Sequence, residues 1–335
     1  MRADAIRVND VAMQLPTPGI GTRQQWVRAG ASARMFIDGR LVRLARGVYV
    51  EADLDTVGAA RRLASTLPEN GVVGGWLAAA VQGVRDAAPH MPGAPSELAV
   101  CYLTRHDHKR PPGFRPLRSD VLPEEVEVVD GLRVTTPART AYDMARFSTN
   151  TTEAVALLDL FAWVGNPRPL LRADLEAVVQ RHPKSRGNPR VRLASRLMTA
   201  RSRSVAESRI RMRWVLECGI DPSSILVNAM LQVGAARAEL DLVDVSSGLV
   251  GEYDGPLHGE PEQRSRDAHK DAIVDQVGLI MQRYNKPELR LGPTSFARLV
   301  GVRRDHAIKR GAAEIAQGLA ARGQLLEECM TIYPR

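Results

Sequence analysis

The chain has few cysteines, no long apolar run and no leader-like N-terminus. Its three cysteines, Cys101, Cys218 and Cys329, form no C-x-x-C pair, which excludes a zinc ribbon or a disulfide scaffold and fits a reducing cytoplasm. The longest stretch without charge, residues 70–84, has 15 residues, fewer than the ~20 that a membrane helix needs. The first ten residues, MRADAIRVND, carry charge where a secretory signal needs an apolar segment. We therefore expect a cytoplasmic protein that does not span a membrane.

The composition is typical of a folded protein with more than one domain. Hydrophobic residues make up 44% and charged residues 25%, a balance that excludes global disorder. The length of 335 residues exceeds the ~100–200 of an ordinary domain, which predicts two or three domains.

The positive charge is concentrated in two blocks. The net charge is +8, and 41 of the 46 basic residues are arginine. Residues 1–50 contribute +5 and residues 181–213 contribute +10, so the rest of the chain carries −7. Two such blocks favour a polyanionic partner, most simply double-stranded DNA. A membrane surface is disfavoured because neither block alternates with large aromatic residues. A codon preference for arginine is the alternative explanation.

Residues 1–52 have the element order of a winged helix-turn-helix domain. We predict a first helix over 5–15, a second helix capped by Thr22 and a third capped by Ser32. Two strands follow, on either side of a turn at Arg46-Gly47. In this fold the third helix enters the major groove and the hairpin lies against the DNA backbone.

Arginines recur on the surfaces that would face DNA in such a domain. The candidate DNA contacts are Arg23, Arg34, Arg40, Arg43 and Arg46. A guanidinium group suits phosphate because its donors form a planar fork. A solvated basic face on a helical bundle is the alternative.

Residues 53–198 predict a mixed α+β region that carries no evident chemistry and is a candidate partner surface. A hairpin turns at Asp130-Gly131. A helix follows, with Thr135 or Thr136 as its cap and Pro137 near its first position.

The most informative segment is ELDLVDVSSGLVGEYDGPLHG, residues 239–259. Two alternating apolar segments flank Ser247-Gly248, which predicts a hairpin with a two-residue turn. In that register Asp241 lies opposite Asp254, and both share one face with Glu252. The other face then carries three apolar side chains against the core, Leu240, Leu242 and Tyr253.

Three carboxylates on one face would raise one another's pKa, and a divalent cation relieves that repulsion. Mg²⁺ prefers oxygen ligands, so this acidic face is a candidate Mg²⁺ site. Such an ion can activate a water molecule and stabilise charge on a phosphate. The site is dismantled if the turn has three residues, because Asp241 and Glu252 then face opposite ways.

Three other residues are candidates for the same site. His258 lies four residues beyond Asp254 and is a candidate base or phosphate contact. Lys270 lies on the following helix, and Glu207 begins an upstream helix. Glu207 has two readings: it completes an S-x-x-E capping box with Ser204, or it supplies a fourth acidic group.

Residues 200–290 resemble the bacterial domain-of-unknown-function family related to the very-short-patch-repair endonuclease, within the PD-(D/E)XK nuclease-like superfamily. The shared features are AESRIR at 206–211, LDLVD at 240–244, EYDG at 252–255 and a Lys-Asp helix followed by G-x-x-x-x-R at 278–283. The resemblance implies that Asp241 and Glu252 hold Mg²⁺ and that a lysine two residues after the glutamate assists hydrolysis. Here that position holds Asp254, and Lys270 is the candidate replacement.

The N-terminal half resembles AbiEi-type antitoxins. Its matching segments are GTRQQWVRAGASARMFIDGRLVRLARGVYV and DGLRVTTPARTAYDMAR. Antitoxins of this type repress their own operon and oppose a nucleotidyltransferase toxin, so the resemblance implies such a partner.

These observations predict a mixed α/β, multidomain chain. The expected parts are a winged helix-turn-helix domain (1–52), a mixed α+β domain (53–198), a restriction-endonuclease-like α/β domain (199–293) and a helical tail (294–335). The first functional expectation is a DNA-binding transcriptional regulator of antitoxin type whose nuclease-like domain does not cut. The alternative is a Mg²⁺-dependent DNA endonuclease targeted by the winged helix. A protein-interaction module is the third reading and is compatible with the first.

Overall fold

The computed structural model describes residues 15, 19–45, 47–52, 58, 64, 67, 70–85, 99–103, 115–118, 121–254 and 261–327. The described residues form a mixed α/β structure, as expected. They divide into two compact units, Met1–Ala154 with Asn166–Ser195, and Val155–Gly165 with Arg196–Arg335. The division into four domains stays a prediction. Within the described part, no helix is both long and apolar enough to cross a bilayer.

The first unit begins with a small three-stranded antiparallel sheet and two short helices. The elements run β1 (Ile20–Thr22), α1 (Arg23–Arg28), α2 (Ala33–Ile37), β2 (Leu41–Ala45) and β3 (Val48–Glu51). The sheet order is β1-β3-β2. The predicted helix over 5–15 lies outside the described residues, and β1 is an additional strand that the sequence pattern did not indicate.

Local interactions explain where these two helices begin. Thr22 accepts from the backbone N–H of Gln25, whose side chain accepts from the backbone N–H of Thr22, so a full capping box starts α1. Ser32 lies at the predicted cap of α2 but its side chain makes no capping hydrogen bond. Fully buried Trp26 fixes α1 to the sheet because its indole N–H donates to the carbonyl of Tyr49.

The rest of the first unit is built on a five-stranded sheet of order β6-β5-β4-β8-β7. Its strands are β4 (Val72–Gly74), β5 (Ala99–Leu103), β6 (Arg115–Arg118), β7 (Val126–Val129) and β8 (Leu132–Thr135). Its helices are α3 (Gly75–Val81), α4 (Pro137–Phe147), α6 (Arg172–Arg181) and α7 (Asn188–Leu197), while α5 (Thr151–Ala162) and α7 each span a unit boundary. The predicted hairpin turn at Asp130-Gly131 is confirmed, since both residues have positive φ and Val129 pairs with Leu132.

A buried ionic cluster lies under α4. Arg139 is 1% exposed and its guanidinium bonds to the carboxylates of Glu125 and Asp143, which are also buried. Tyr102 donates to Asp143, and the ring of His182 contacts Glu125. Each buried charge therefore has at least one partner, as a low-dielectric interior requires.

The second unit is a five-stranded sheet between two helical layers. Its sheet order is β12-β11-β10-β9-β13, with β9 (Ile225–Val233), β10 (Ala236–Asp244), β11 (Leu249–Tyr253), β12 (Ile280–Tyr284) and β13 (Leu325–Glu327). Only the β11–β12 pair is parallel among these described strands. The helices are α8 (Val205–Leu216), α9 (Pro261–Val277), α10 (Pro293–Lys309) and α11 (Ala312–Ala321).

Each face of this sheet has its own apolar core. Ile273 and Val274 of α9 and Ala316 of α11 pack on one face. Trp214 of α8 and Phe296 of α10 pack on the other. The segment predicted as a helical tail thus includes two helices that cover the sheet, and it also contributes edge strand β13.

The β10–β11 hairpin differs from the predicted register. Asp244 pairs with Leu249, so the loop has four residues rather than two. The carboxylate of Asp244 explains the wider loop, because it accepts from the hydroxyls of Ser246 and Ser247 and from Arg304. A shift of two residues changes which residues of the two strands face each other, but by itself it does not exchange the two faces of the sheet.

Candidate functional site

Asp241 and Glu252 meet across the hairpin. The predicted pairing of Asp241 with Asp254 is wrong, since continuing the observed register places Glu252 opposite Asp241. The backbone N–H of Asp241 donates to Oε1 of Glu252 (3.0 Å), and that of Tyr253 donates to Oδ2 of Asp241 (3.0 Å). The two carboxylates therefore take the places of backbone acceptors where the β10–β11 ladder ends, which fixes them side by side.

In β9 and β10 the alternation of side chains between the two faces of the sheet is interrupted beside Asp241. On β9, Val227 packs in the α8–α10 core, whereas Ala229 packs in the α9–α11 core. On β10, Leu242 packs in the α8–α10 core and Leu240 in the α9–α11 core. The prediction that Leu240 and Leu242 share a face is wrong because the period-2 alternation breaks at Asp241.

Glu207 is brought to the same place by the first turn of α8. Its backbone N–H donates to Ser204 Oγ, so the N-cap half of the predicted capping box is present. Its carboxylate Oε2 accepts from the backbone N–H of Arg203 (2.9 Å) and from Nδ2 of Asn228 (2.8 Å). Ser204 therefore caps α8, and the carboxylate of Glu207 accepts from the N–H of Arg203 rather than from that of Ser204 and lies beside Asp241.

Lys270 supplies the positive charge at this site. Its Nζ lies 2.6 Å from Oε2 of Glu252. Asp254, in contrast, follows the end of β11 and its backbone N–H donates to the carbonyl of Tyr284. His258 lies outside the described residues.

A cavity of about 570 Å³ opens over these groups. It is lined by Arg203, Glu207, Asn228, Arg237, Ala238, Glu239, Asp241, Asp267, His269 and Lys270. Arg203 and Glu239 form an ion pair at 2.5 Å on its wall. Basic and acidic groups thus line one space large enough for part of a nucleotide chain.

Burial raises the pKa of all three acidic groups. Removal from water and then the charge of Asp241 raise the pKa of Glu252, Lys270 and the N–H of Asp241 oppose them, and the pKa is about 7. Burial also raises the pKa of Asp241, against the N–H of Tyr253 and the charge of Lys270. Burial and then the charge of Asp241 raise the pKa of Glu207. These carboxylates are consequently poised to gain from a nearby cation.

The raised pKa of Glu252 predicts a pH-dependent loss of stability. Folded protein holds a proton on Glu252 up to a pKa of about 7, whereas the unfolded chain releases it near the ordinary value of 4.5. The free energy of unfolding therefore falls as pH rises through this window, by at most about 3.5 kcal/mol at ~1.4 kcal/mol per pKa unit. In urea unfolding with EDTA, the free energy of unfolding of Glu252→Gln should increase relative to that of the wild type between pH 5 and pH 8.

The matched control for this measurement is Glu314→Gln, because Glu314 is exposed on α11. Its difference from the wild type should not depend on pH. If the difference in free energy of unfolding between Glu252→Gln and the wild type is also independent of pH, the pKa of Glu252 is not raised.

The donor set is compatible with Mg²⁺. Across the described ranges, no three His, Cys, Asp or Glu side chains form a ligand cluster. Mg²⁺ in proteins nevertheless uses one or two carboxylates and keeps several waters. The adjacent carboxylates of Asp241 and Glu252 meet that requirement.

In the first unit, the predicted DNA-contacting arginines have different surroundings. The side chain of Arg34 is 86% exposed on α2, and Arg43 is exposed on β2. Arg40 is held by Asp38 at 2.8 Å, and Arg23 lies 5.1 Å from the ring centre of Phe36. Arg46 lies outside the described residues.

The basic block at 181–213 has mostly internal partners. Six of its arginines bond to carboxylates or carbonyls: Arg181, Arg190, Arg201, Arg203, Arg211 and Arg213. Lys184, Arg186 and Arg192 are exposed. Much of this charge therefore stabilises the fold, and the block alone does not indicate a nucleic-acid surface.

Sequence reasoning missed four residues that line the cavity, Arg203, Asn228, Arg237 and Glu239. Asn228 carried a usable signal, since asparagine in an otherwise apolar strand is a residue that tolerates left-handed backbone. Arg237 and Glu239 lie on β10 and are placed by its pairing with β9, which the motif analysis did not include, while Arg203 comes directly before Ser204, the cap of α8. Comparisons with family models, curated proteins and solved structures found no match to this chain.

Proposed function

We propose that this chain binds DNA through its N-terminal elements and hydrolyses phosphodiester bonds at the Asp241–Glu252 site. One observation carries the hydrolytic part: buried Asp241 lies side by side with Glu252, Glu252 bonds to the ammonium group of Lys270, and Asp241 and Lys270 line a cavity of about 570 Å³. Two carboxylates and a lysine beside a cavity that admits a phosphate are groups that metal-assisted phosphodiester hydrolysis uses.

Each group has a distinct role in this proposal. Asp241 and Glu252 would hold Mg²⁺, which when bound supplies an activated water and stabilises charge on the phosphate. Lys270 places a positive charge beside Glu252, where it stabilises the carboxylate and faces an anionic substrate. Arg237, exposed on the cavity wall, suits a contact to the DNA backbone, whereas Arg203 is held by Glu239.

Asp254 occupies the position of the usual catalytic lysine, and Lys270 is the candidate replacement for that lysine. In the resembling nucleases the lysine follows the glutamate by two residues, and here that residue is acidic. The Lys270 ammonium reaches Glu252 from α9 instead, so a positive charge meets the same carboxylate from a different element. Incubation of supercoiled plasmid with the full chain and Mg²⁺ or Mn²⁺ tests the proposal, with nicked or linear DNA as the expected product.

A DNA-binding regulator of antitoxin type is the second candidate. Asp254 favours it, because the acidic residue occupies the position of the usual catalytic lysine. This candidate includes a nucleotidyltransferase toxin as partner. DNA binding without cleavage in either metal would support it over the nuclease.

The N-terminal elements predict a specific effect on DNA affinity. The helices α1 and α2 with the β2–β3 hairpin have the order of a winged helix, and Arg34 and Arg43 are exposed there. Each arginine that meets a phosphate contributes about 0.9 to the slope of log affinity against log salt. Replacing both by alanine should lower that slope by nearly two, as measured by fluorescence anisotropy with duplex DNA.

The control replaces Arg298 and Lys309, which are exposed on α10. This pair removes the same charge from the second unit and should leave the slope unchanged. If the Arg34 and Arg43 variant retains the wild-type slope, these two side chains do not contact DNA.

A further inference from the structure

Asn228 has an unusual backbone for its place in the fold. It lies in the middle of the nine-residue strand β9 and has φ of +48°. Outside glycine, the described residues show positive φ only here and at Asp130, which lies in a hairpin turn where that conformation is common. Left-handed backbone in a strand interior costs free energy and persists only where the surroundings hold it.

The side chain of Asn228 is buried and bonded at both amide hydrogens. Its Nδ2 donates to Oε2 of Glu207 (2.8 Å) and to the carbonyl of Arg201 (2.9 Å). Only 9% of Asn228 is exposed, and it lines the cavity. The amide therefore links the start of α8 to the sheet at the acidic site.

The backbone of Asn228 also sets the position of Asp241. In the β9–β10 register Leu240 pairs with Ala229 and Leu242 with Val227, so Asn228 stands opposite Asp241. Both strands change face at this pair. The face change at this pair lies next to the point where Oδ2 of Asp241 accepts from the N–H of Tyr253.

We propose that Asn228 is a positioning residue that brings Glu207 and Asp241 to one cation-binding cavity. The inference rests on the proposed function and assigns Asn228 two separable contributions. Its left-handed backbone places Asp241, and its amide holds the carboxylate of Glu207. Supporting side chains of this kind typically change metal affinity 10- to 100-fold when removed.

Two substitutions separate the contributions. Asn228→Gly retains easy access to positive φ but removes the amide. Asn228→Ala removes the amide and also disfavours the left-handed backbone. Asn285→Gly is the control, because Asn285 is exposed in a turn away from the cavity.

The experiment is calorimetric titration of the full chain with Mn²⁺ in the absence of DNA. Asn228→Gly should remain folded, with an unfolding midpoint lowered by the loss of two buried hydrogen bonds, and should bind Mn²⁺ about tenfold more weakly. Glu207→Ala should show a loss of affinity at least as large, and the double variant should be no weaker than Glu207→Ala alone, since both changes break one interaction. Asn228→Ala should lose more affinity than Asn228→Gly, and the Asn285→Gly control should match the wild type.

The outcomes separate the two claims. If wild type binds Mn²⁺ and Asn228→Gly binds it equally well, the inference about Asn228 is overturned while the proposed function stands. If the losses of Asn228→Gly and Glu207→Ala simply add, the amide does not act through Glu207 and the inference is likewise overturned. If wild type binds no Mn²⁺, the metal-dependent function itself is overturned, and the inference with it.

Discussion

Asp241→Asn is expected to abolish Mg²⁺-dependent cleavage of plasmid DNA while leaving DNA affinity unchanged. The variant removes the negative charge next to Glu252 but keeps an oxygen that can accept from the N–H of Tyr253, so the hairpin should persist. Loss of one such preorganised electrostatic group typically lowers the rate on the order of 10²–10³-fold. Nicking of supercoiled plasmid, followed over time on agarose, measures the effect.

The control for this prediction is Asp275→Asn on α9, since Asp275 is exposed on the same domain. It makes the identical chemical change outside the cavity and should cleave like the wild type. Cleavage by Asp241→Asn at the wild-type rate would place the reacting phosphate elsewhere.

Arg139→Met is expected to cause the largest loss of stability. Arg139 lies between Glu125 and Asp143, and all three side chains are almost fully buried. Removing one partner of a buried ion pair leaves uncompensated charge, which typically costs about 3–5 kcal/mol. The first unit should therefore unfold at a clearly lower urea concentration, followed by circular dichroism.

The comparison is Arg192→Met, because Arg192 is exposed on α7. This variant loses the same charge from the same unit and should unfold within ~0.5 kcal/mol of the wild type. Equal stabilities for the two variants would mean that His182 and Arg181 neutralise Glu125 without Arg139.

The sequence pattern predicted the local elements well where a turn or cap determines them. The Thr22 cap, the Asp130-Gly131 hairpin and the helix start at Ser204 are confirmed, because each depends on residues within four positions. The register of the β10–β11 hairpin was wrong. Asp244 organises its loop through Arg304, sixty residues away, and no local pattern contains that contact.

The candidate site was predictable only in the part that depends on the β10–β11 hairpin. Asp241 and Glu252 lie side by side, since a register shift of two keeps facing residues of the hairpin on one face. Glu207 lies in the same cavity because of how α8 packs, which the sequence pattern left open between two interpretations. The contact between Lys270 and Glu252 does not follow from spacing, because Lys270 lies on α9, which packs on the sheet. The face change at Asn228 was invisible because periodicity analysis assumes regular alternation along each strand.

The central claim is that Asp241 and Glu252 form a cation site, and a crystal of the full chain soaked in Mn²⁺ tests it most directly. Anomalous scattering locates manganese independently of any assay. The account predicts a strong anomalous peak in contact with the carboxylates of Asp241 and Glu252. An electron density map with no anomalous peak there, and with Lys270 still bonded to Glu252 at high Mn²⁺, would contradict it.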